Sequence, residues 1–230
     1  MKQPNQAGWF ELLISTQHEL STCLNAFGGR TLEIIPSYIA YSSAHLNHAA
    51  EGYICLRASG RIKASKHLIR SILETYFRIQ AVRSRPELIF RIAYTEHRED
   101  LSWIAGMALA DASELKKMQT DLWEEFVQKY QQLFPRHKIK NEKLTVFDTA
   151  KAGGNEAMYH RWYRLYCRFV HAALRASKGD LDSLEFTDTF VVAMTTLAAL
   201  DALVELGTES THFKVLKAEY EILVKTVRWN

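Results

Sequence analysis

The chain reads as all-α, an antiparallel bundle of roughly seven to nine helices joined by short connections. Three observations carry this expectation. Apolar residues recur at helical spacing through most segments. Only 10 Gly and 4 Pro interrupt 230 residues, so long loops are few. No stretch alternates apolar and polar residues long enough to predict a strand. Hydrophobic residues make up 47% and charged residues 24%, the balance of a soluble globular protein large enough for a substantial core. One domain over 1–230 is expected, with 36–82 and 155–206 as its core bundle.

Taken in order, a first helix is expected from Gln6 to Phe27, stopped by Gly28-Gly29. A second runs from Pro36 to Leu56, with Pro36 suited to a first turn. Gly60 marks the break before a third, Lys63 to Val82. Its apolar stripe is Leu68, Ile69, Ile72, Leu73, Tyr76 and Ile79. Pro86 opens a fourth helix, to about Leu109, and a charged fifth covers Ala112 to Phe134. Residues 136–154, RHKIKNEKLTVFDTAKAGG, read as an irregular loop with one short turn near Val146. A sixth helix spans Asn155 to Ser177, with Asn155 as its N-cap. Two more follow, Ser183 to Leu206 and Thr208 to Val227.

The net charge of +3 is too mild to imply nucleic acid, so where the charge sits matters more. Cys23, Cys55 and Cys167 are odd in number and far apart, which predicts neither a disulfide framework nor a zinc site. The N-terminus lacks a continuous apolar secretory segment. Thr189 to Leu200 is about half of the roughly 20 residues that span a bilayer. A cytoplasmic protein with no membrane segment is expected.

The sixth helix concentrates the charge. Between Glu156 and Asp180 no acidic residue occurs. Arg161, Arg164, Arg168, His171 and Arg175 follow at steps of three and four, which sets them on one face. Trp162, Tyr166 and Phe169 fall on another, fitted to packing. Five cationic or titratable groups with no acidic residue among them repel one another, so water and salt, a neighbouring carboxylate, or a phosphate backbone must compensate. Guanidinium groups bind oxyanions bidentately, and a histidine among them moves protons near neutral pH. Tyr163 and Tyr166 flank the stripe and are suited to stack bases or donate hydrogen bonds. On the third helix, Arg70, Glu74 and Arg78 are spaced i, i+4, i+8. That is a surface salt-bridge ladder unless Glu74, at the border of the apolar stripe, reaches across to Arg164 or His171.

These two stretches, HLIRSILE and YRLYCRFVH, resemble a family of uncharacterised bacterial helical proteins. Its members pair an "LLR-x-x-x-E" helix with a "Y-R-x-x-S-x-x-V-H" helix. The matches are Arg70 and Glu74, then Tyr163, Arg164, Val170 and His171, with Cys167 where a serine is usual. The likeness covers about residues 40–175, the stretch 100–150 in helical character alone. That family is similar in turn to the HEPN (higher eukaryotes and prokaryotes nucleotide-binding) superfamily of helical bundles. Many of these are dimeric, metal-independent endoribonucleases of toxin–antitoxin and phage-defence systems, marked by a closely spaced Arg and His. Arg61/His67 and Arg91/His97 also fit that spacing. Arg164/His171 is preferred because Tyr163 and Val170 match beside it and its face is basic.

The resemblance implies a HEPN-like fold and RNA cleavage by the ribose 2′-hydroxyl, without metal or other cofactor. His171 would be the general acid or base, Arg164 would stabilise the phosphorane, and Glu74 would orient one of them. Arg70, Arg161, Tyr163, Arg168 and Arg175 would bind substrate. A homodimer, and a cognate antitoxin or other partner protein, are also implied. The rival expectation is a non-catalytic interaction protein whose Arg/His/Glu cluster is structural. A third is a basic helix that recognises an acidic partner. His45, His48 and Glu51 have metal-like spacing but no second ligand cluster, and read as a polar face. Walker, GxGxxG and GxSxG motifs are absent from the sequence.

Overall fold

A computed structural model describes residues 6–27, 33–106, 112–136, 143–171 and 185–226. Every regular element among them is helical. The order is α1 (Gln6–Phe27), α2 (Ile34–Ala58), α3 (Ile62–Ser84), a 3-10 turn (Pro86–Leu88), α4 (Ile89–Gly106) and α5 (Ala112–Leu133). Then come α6 (Val146–Ala152), α7 (Glu156–Met158), a π-helical turn (Tyr159–Tyr163) and α8 (Arg164–His171). The last two are α9 (Glu185–Glu205) and α10 (Phe213–Thr226). The expected all-α bundle is what forms.

The core lies among α1, α2, α3 and α9, which pack on one another. Each brings apolar residues at three- and four-residue spacing. In α1 these are Trp9, Leu12, Leu13, Leu20 and Cys23, and in α3 Ile69, Ile72, Leu73, Tyr76 and Ile79. The core therefore takes in α1 as well as the two expected segments. Trp9, fully buried, meets Phe186, Phe190 and Tyr220 edge-on at 4.9–6.2 Å. Helix α9 is long and apolar enough to cross a membrane by composition, with a mean hydropathy of 1.5 over its best window. Yet 72% of that window is buried within the bundle, which makes its apolarity that of a central core helix. Beside the bundle, α4 and α5 form a hairpin in which Phe90 packs against Phe126, Tyr130 and Phe134.

Three local expectations are corrected. The loop 136–154 contains α6, started by a capping box. Thr145 Oγ1 accepts from the Asp148 amide, and the Asp148 carboxylate accepts from the Thr145 amide. Residues 137–142 lie outside the described residues. Asn155 holds the expected N-cap position, but its side chain makes no capping bond: it accepts from Tyr76 Oη at 3.0 Å and donates to the Gly153 carbonyl at 2.7 Å. The final helix starts at Phe213, not Thr208, because Ser210 Oγ accepts from the Phe213 amide while donating to Glu19 on α1.

The turn before α7 presses on α3. A Cβ at Gly153 would lie 2.8 Å from the Gln80 Cβ, and Gly154 has φ +71°, a conformation open mainly to glycine. These two glycines let α6 fold back on α3 and deliver the basic helix beside it.

Candidate functional site

The basic stretch forms one continuous helical run from Glu156 to His171, in which the turn Tyr159–Tyr163 is π-helical. Such single wide turns recur at functional sites. The two faces separate as the spacing predicted. Arg161, Arg164 and Arg168 are exposed, whereas Trp162, Tyr163 and Tyr166 are buried. Arg164 and Arg168 make no ion pair with any described residue. The side chain of His171, at the end of α8, lies outside the described residues, and so does Arg175.

Two tyrosine hydroxyls fix this helix to the core. Tyr163 Oη donates to Glu74 Oε1 at 2.6 Å, and Arg70 Nε donates to the same oxygen at 2.9 Å. The Arg70 guanidinium also sits 5.8 Å from the Tyr163 ring centroid. One turn on, Tyr166 Oη donates to Asp188 Oδ1 at 2.6 Å, and Lys66 Nζ donates to Asp188 Oδ2 at 2.6 Å. Lys66, Arg70 and Glu74 stand at successive four-residue steps on α3, so one stripe of α3 serves both tyrosines. Tyr53 and Thr189 share a hydrogen bond of 3.1 Å that joins α2 to α9.

Burial decides the electrostatics. Asp188 and Lys66 are fully buried. Burial raises the Asp188 carboxyl above the usual range, against the opposing pull of the Lys66 ammonium and the Tyr166 hydroxyl. Burial first, then the Asp188 charge, pushes the Tyr166 hydroxyl well up. Burial and the hydrogen bond to Glu74 do the same to Tyr163. Both hydroxyls therefore stay protonated donors. Arg70 titrates above the usual arginine value: partial burial, the largest single influence, opposes the charge, and the Glu74 carboxylate and the Tyr163 hydroxyl together outweigh it.

Glu74 thus reaches the basic helix through Tyr163. The Tyr163 ring, expected to be available to a base, stacks on Tyr159 at 5.0 Å and meets Phe77 edge-on at 6.1 Å. The pair of Lys66 and Asp188 escaped the sequence reading. Its one signal was that Asp188 is the sole charge between Glu185 and Asp201, in a run otherwise fit for the core.

A cleft of about 330 Å³ opens between α3, α4 and the start of α6, lined by Arg70, Glu74, Arg78, Glu99 and Lys143. Arg78 pairs with Glu96 at 2.7 Å and Lys143 with Glu99 at 2.8 Å. Those pairs staple neighbouring elements. Arg164 and Arg168, which make no ion pair with a described residue, lie instead on the outer face of α8. On that side Phe147 of α6 lies 5.1 Å from the Tyr159 ring and 5.5 Å from the His160 ring.

Among the described residues, no group of three or more His, Cys, Asp and Glu is placed to hold a metal ion. His48 and Glu51 are 3.8 Å apart with exposed side chains, and His45 is exposed. Cys23, Cys55 and Cys167 are free thiols.

Fold and site together define an all-helical bundle that presents an arginine-rich helix on a buried tyrosine–carboxylate footing. Residues 37–188 match the model of a family of unknown function (DUF5677), and the chain belongs to that family. The match runs from the first turn of α2 to Asp188. No curated protein matches the chain, and no solved structure does.

Proposed function

We propose that this chain is an RNA-directed protein of HEPN type that cleaves RNA without a metal ion. The observation that carries the reading is the outward row of Arg161, Arg164 and Arg168 on the helix that ends in His171. Exposed arginines in a row suit a phosphate backbone, because the guanidinium fork matches phosphate oxygens, and Arg164 and Arg168 make no ion pair with any described residue. In the proposed reaction the ribose 2′-hydroxyl attacks the adjacent phosphorus, and the bond to the 5′-oxygen of the next nucleotide breaks. The proton of the 2′-hydroxyl passes to a base and a proton is given to the leaving oxygen. His171 serves one of these transfers, and Arg164 offsets the charge gathering on the phosphorane. Glu74 and Arg70 act at one remove by holding Tyr163, the residue before Arg164.

This places the protein in the cytoplasm, in a toxin–antitoxin or phage-defence setting, as a homodimer with a cognate antitoxin or other partner protein. A second reading is favoured by one observation. The cluster of Arg70, Glu74 and Tyr163 is mutually satisfied, as in a structural network of a non-catalytic interaction protein.

Incubation with mixed structured RNAs in EDTA separates the two. Fragments ending in 2′,3′-cyclic phosphate are expected from the unmutated chain. They should be absent with His171→Ala and reduced about a hundredfold or more with Arg164→Ala. RNA that is bound at saturation but stays intact favours the non-catalytic reading. Failure to bind RNA at low salt removes RNA as the partner.

A further inference from the structure

Beside the arginine row stands a group of rings at the edge of the core, against which Tyr159 packs. His160 is exposed, and Phe147 and Tyr159 are half-buried. The His160 ring lies 5.5 Å from Phe147 and 5.4 Å from Tyr159, which is itself stacked on Tyr163. His160 falls within the π-helical turn, immediately before Arg161 and four residues before Arg164. Lys151, four residues after Phe147 on α6, is also exposed. The result is a backed, partly open aromatic surface edged by cations from two helices.

We propose that His160, supported by Phe147 and Tyr159, is a stacking platform for an unpaired nucleobase, which makes single-stranded RNA the substrate class of the basic helix. The proposal rests on the RNA reading above and narrows it. Every base has a π-face, so stacking tolerates sequence, but it needs a base free of its partner. In a duplex the bases are stacked on each other and the helix offers only phosphates and grooves. An arginine row alone would bind duplex and single strand by charge. Rings beside it add affinity only for bases that can be splayed out. The rigid backing matters too, since a ring held by neighbours gives up little freedom when a base lands on it.

The test uses the full-length protein and a short RNA with one 2-aminopurine, made with 2′-O-methyl riboses so that it cannot be cut. The same strand annealed to its complement is the comparison. Tight binding of the single strand with quenched 2-aminopurine fluorescence is expected, and clearly weaker binding of the duplex. His160→Ala should weaken single-strand binding about tenfold and leave duplex binding unchanged. His160→Phe should restore both affinity and quenching, because it keeps a ring and removes only the imidazole nitrogens.

Equal affinity for strand and duplex, or an unaltered His160→Ala, overturns the platform while leaving RNA binding standing. Loss of affinity in both His160→Ala and His160→Phe, without quenching, assigns His160 a hydrogen-bonding role and likewise overturns it. If the unmutated chain binds poly-glutamate as tightly as RNA, the basic face serves an acidic protein, and platform and RNA reading both fall.

Discussion

Lys66 and Asp188 anchor, through the Tyr166 hydroxyl, the helix that carries the proposed site. Removing one of two buried, paired charges strands the other in a medium that cannot solvate it, at a cost of about 3–5 kcal/mol. Asp188→Asn leaves the Lys66 ammonium, 1% exposed, without its counter-charge, so a loss of that size is expected in the unfolding free energy from chemical denaturation. Lys66→Met with Asp188→Asn removes both charges and keeps an oxygen for the Tyr166 hydroxyl. The double variant should therefore be more stable than Asp188→Asn alone. A double variant equal to or worse than the single one would show that the pair does not act as a unit. Tyr166 gives this stability a bearing on function, since its hydroxyl ties the ion pair to the helix between Arg164 and Arg168.

Helix α6 shows what the sequence reveals of an element and what it conceals. The capping pattern of Thr145 and Asp148 stood in plain view within 136–154. A seven-residue helix is too short for periodicity to register, so the stretch read as a loop. The basic helix was legible in both faces, because steps of three and four separate its arginines from its aromatics. Its π-helical turn was not, since one wide turn leaves no mark on that spacing. Nor did the pattern say that Glu74 would meet Tyr163. Helix neighbours are fixed by packing, and packing depends on connections that one-dimensional spacing does not contain. The capping box also has a pH dependence. The Thr145 hydroxyl is the main cause that holds the Asp148 carboxyl below the usual range. A carboxyl with a depressed folded-state value contributes stability above its unfolded value, near 3.9, and loses it as pH falls through the folded one. Thr145→Ala should cost about 1 kcal/mol at neutral pH, and its deficit should shrink below about pH 4. Chemical denaturation of both proteins across that range measures it. A deficit independent of pH would mean that Asp148 takes no part in the cap.

At the scale of the molecule, the family match and the folding unit have different limits. The match covers 37–188, which leaves out α1, α10 and all but the first turn of α9. The core does not respect that boundary. Trp9, Leu12, Leu13 and Leu20 of α1 and Val191, Val192, Leu200 and Leu203 of α9 are all buried in it. Within the match, α2 and α3 pack tightly on each other, but each also rests on α9. Arg83 at the end of α3 pairs with Asp201 and Glu205 across that junction. Without α1 and α9, the parts of α2 and α3 that rest on α9, and the part of α2 that rests on α1, would face water, at roughly 25 cal/mol for each Å² uncovered. That loss exceeds the few kcal/mol by which a domain outlasts its unfolded state. Asp188 would remain as a terminal residue with no helix to fix it, so Lys66 and Tyr166 would lose their shared partner as well. A fragment of residues 37–188 is therefore expected to show no cooperative thermal transition and to bind a dye for exposed apolar surface. Residues 6–226 should melt in one step. A cooperative melt of the shorter fragment would mean that α2 to α8 hold a core of their own, with α1, α9 and α10 as a cover added around it.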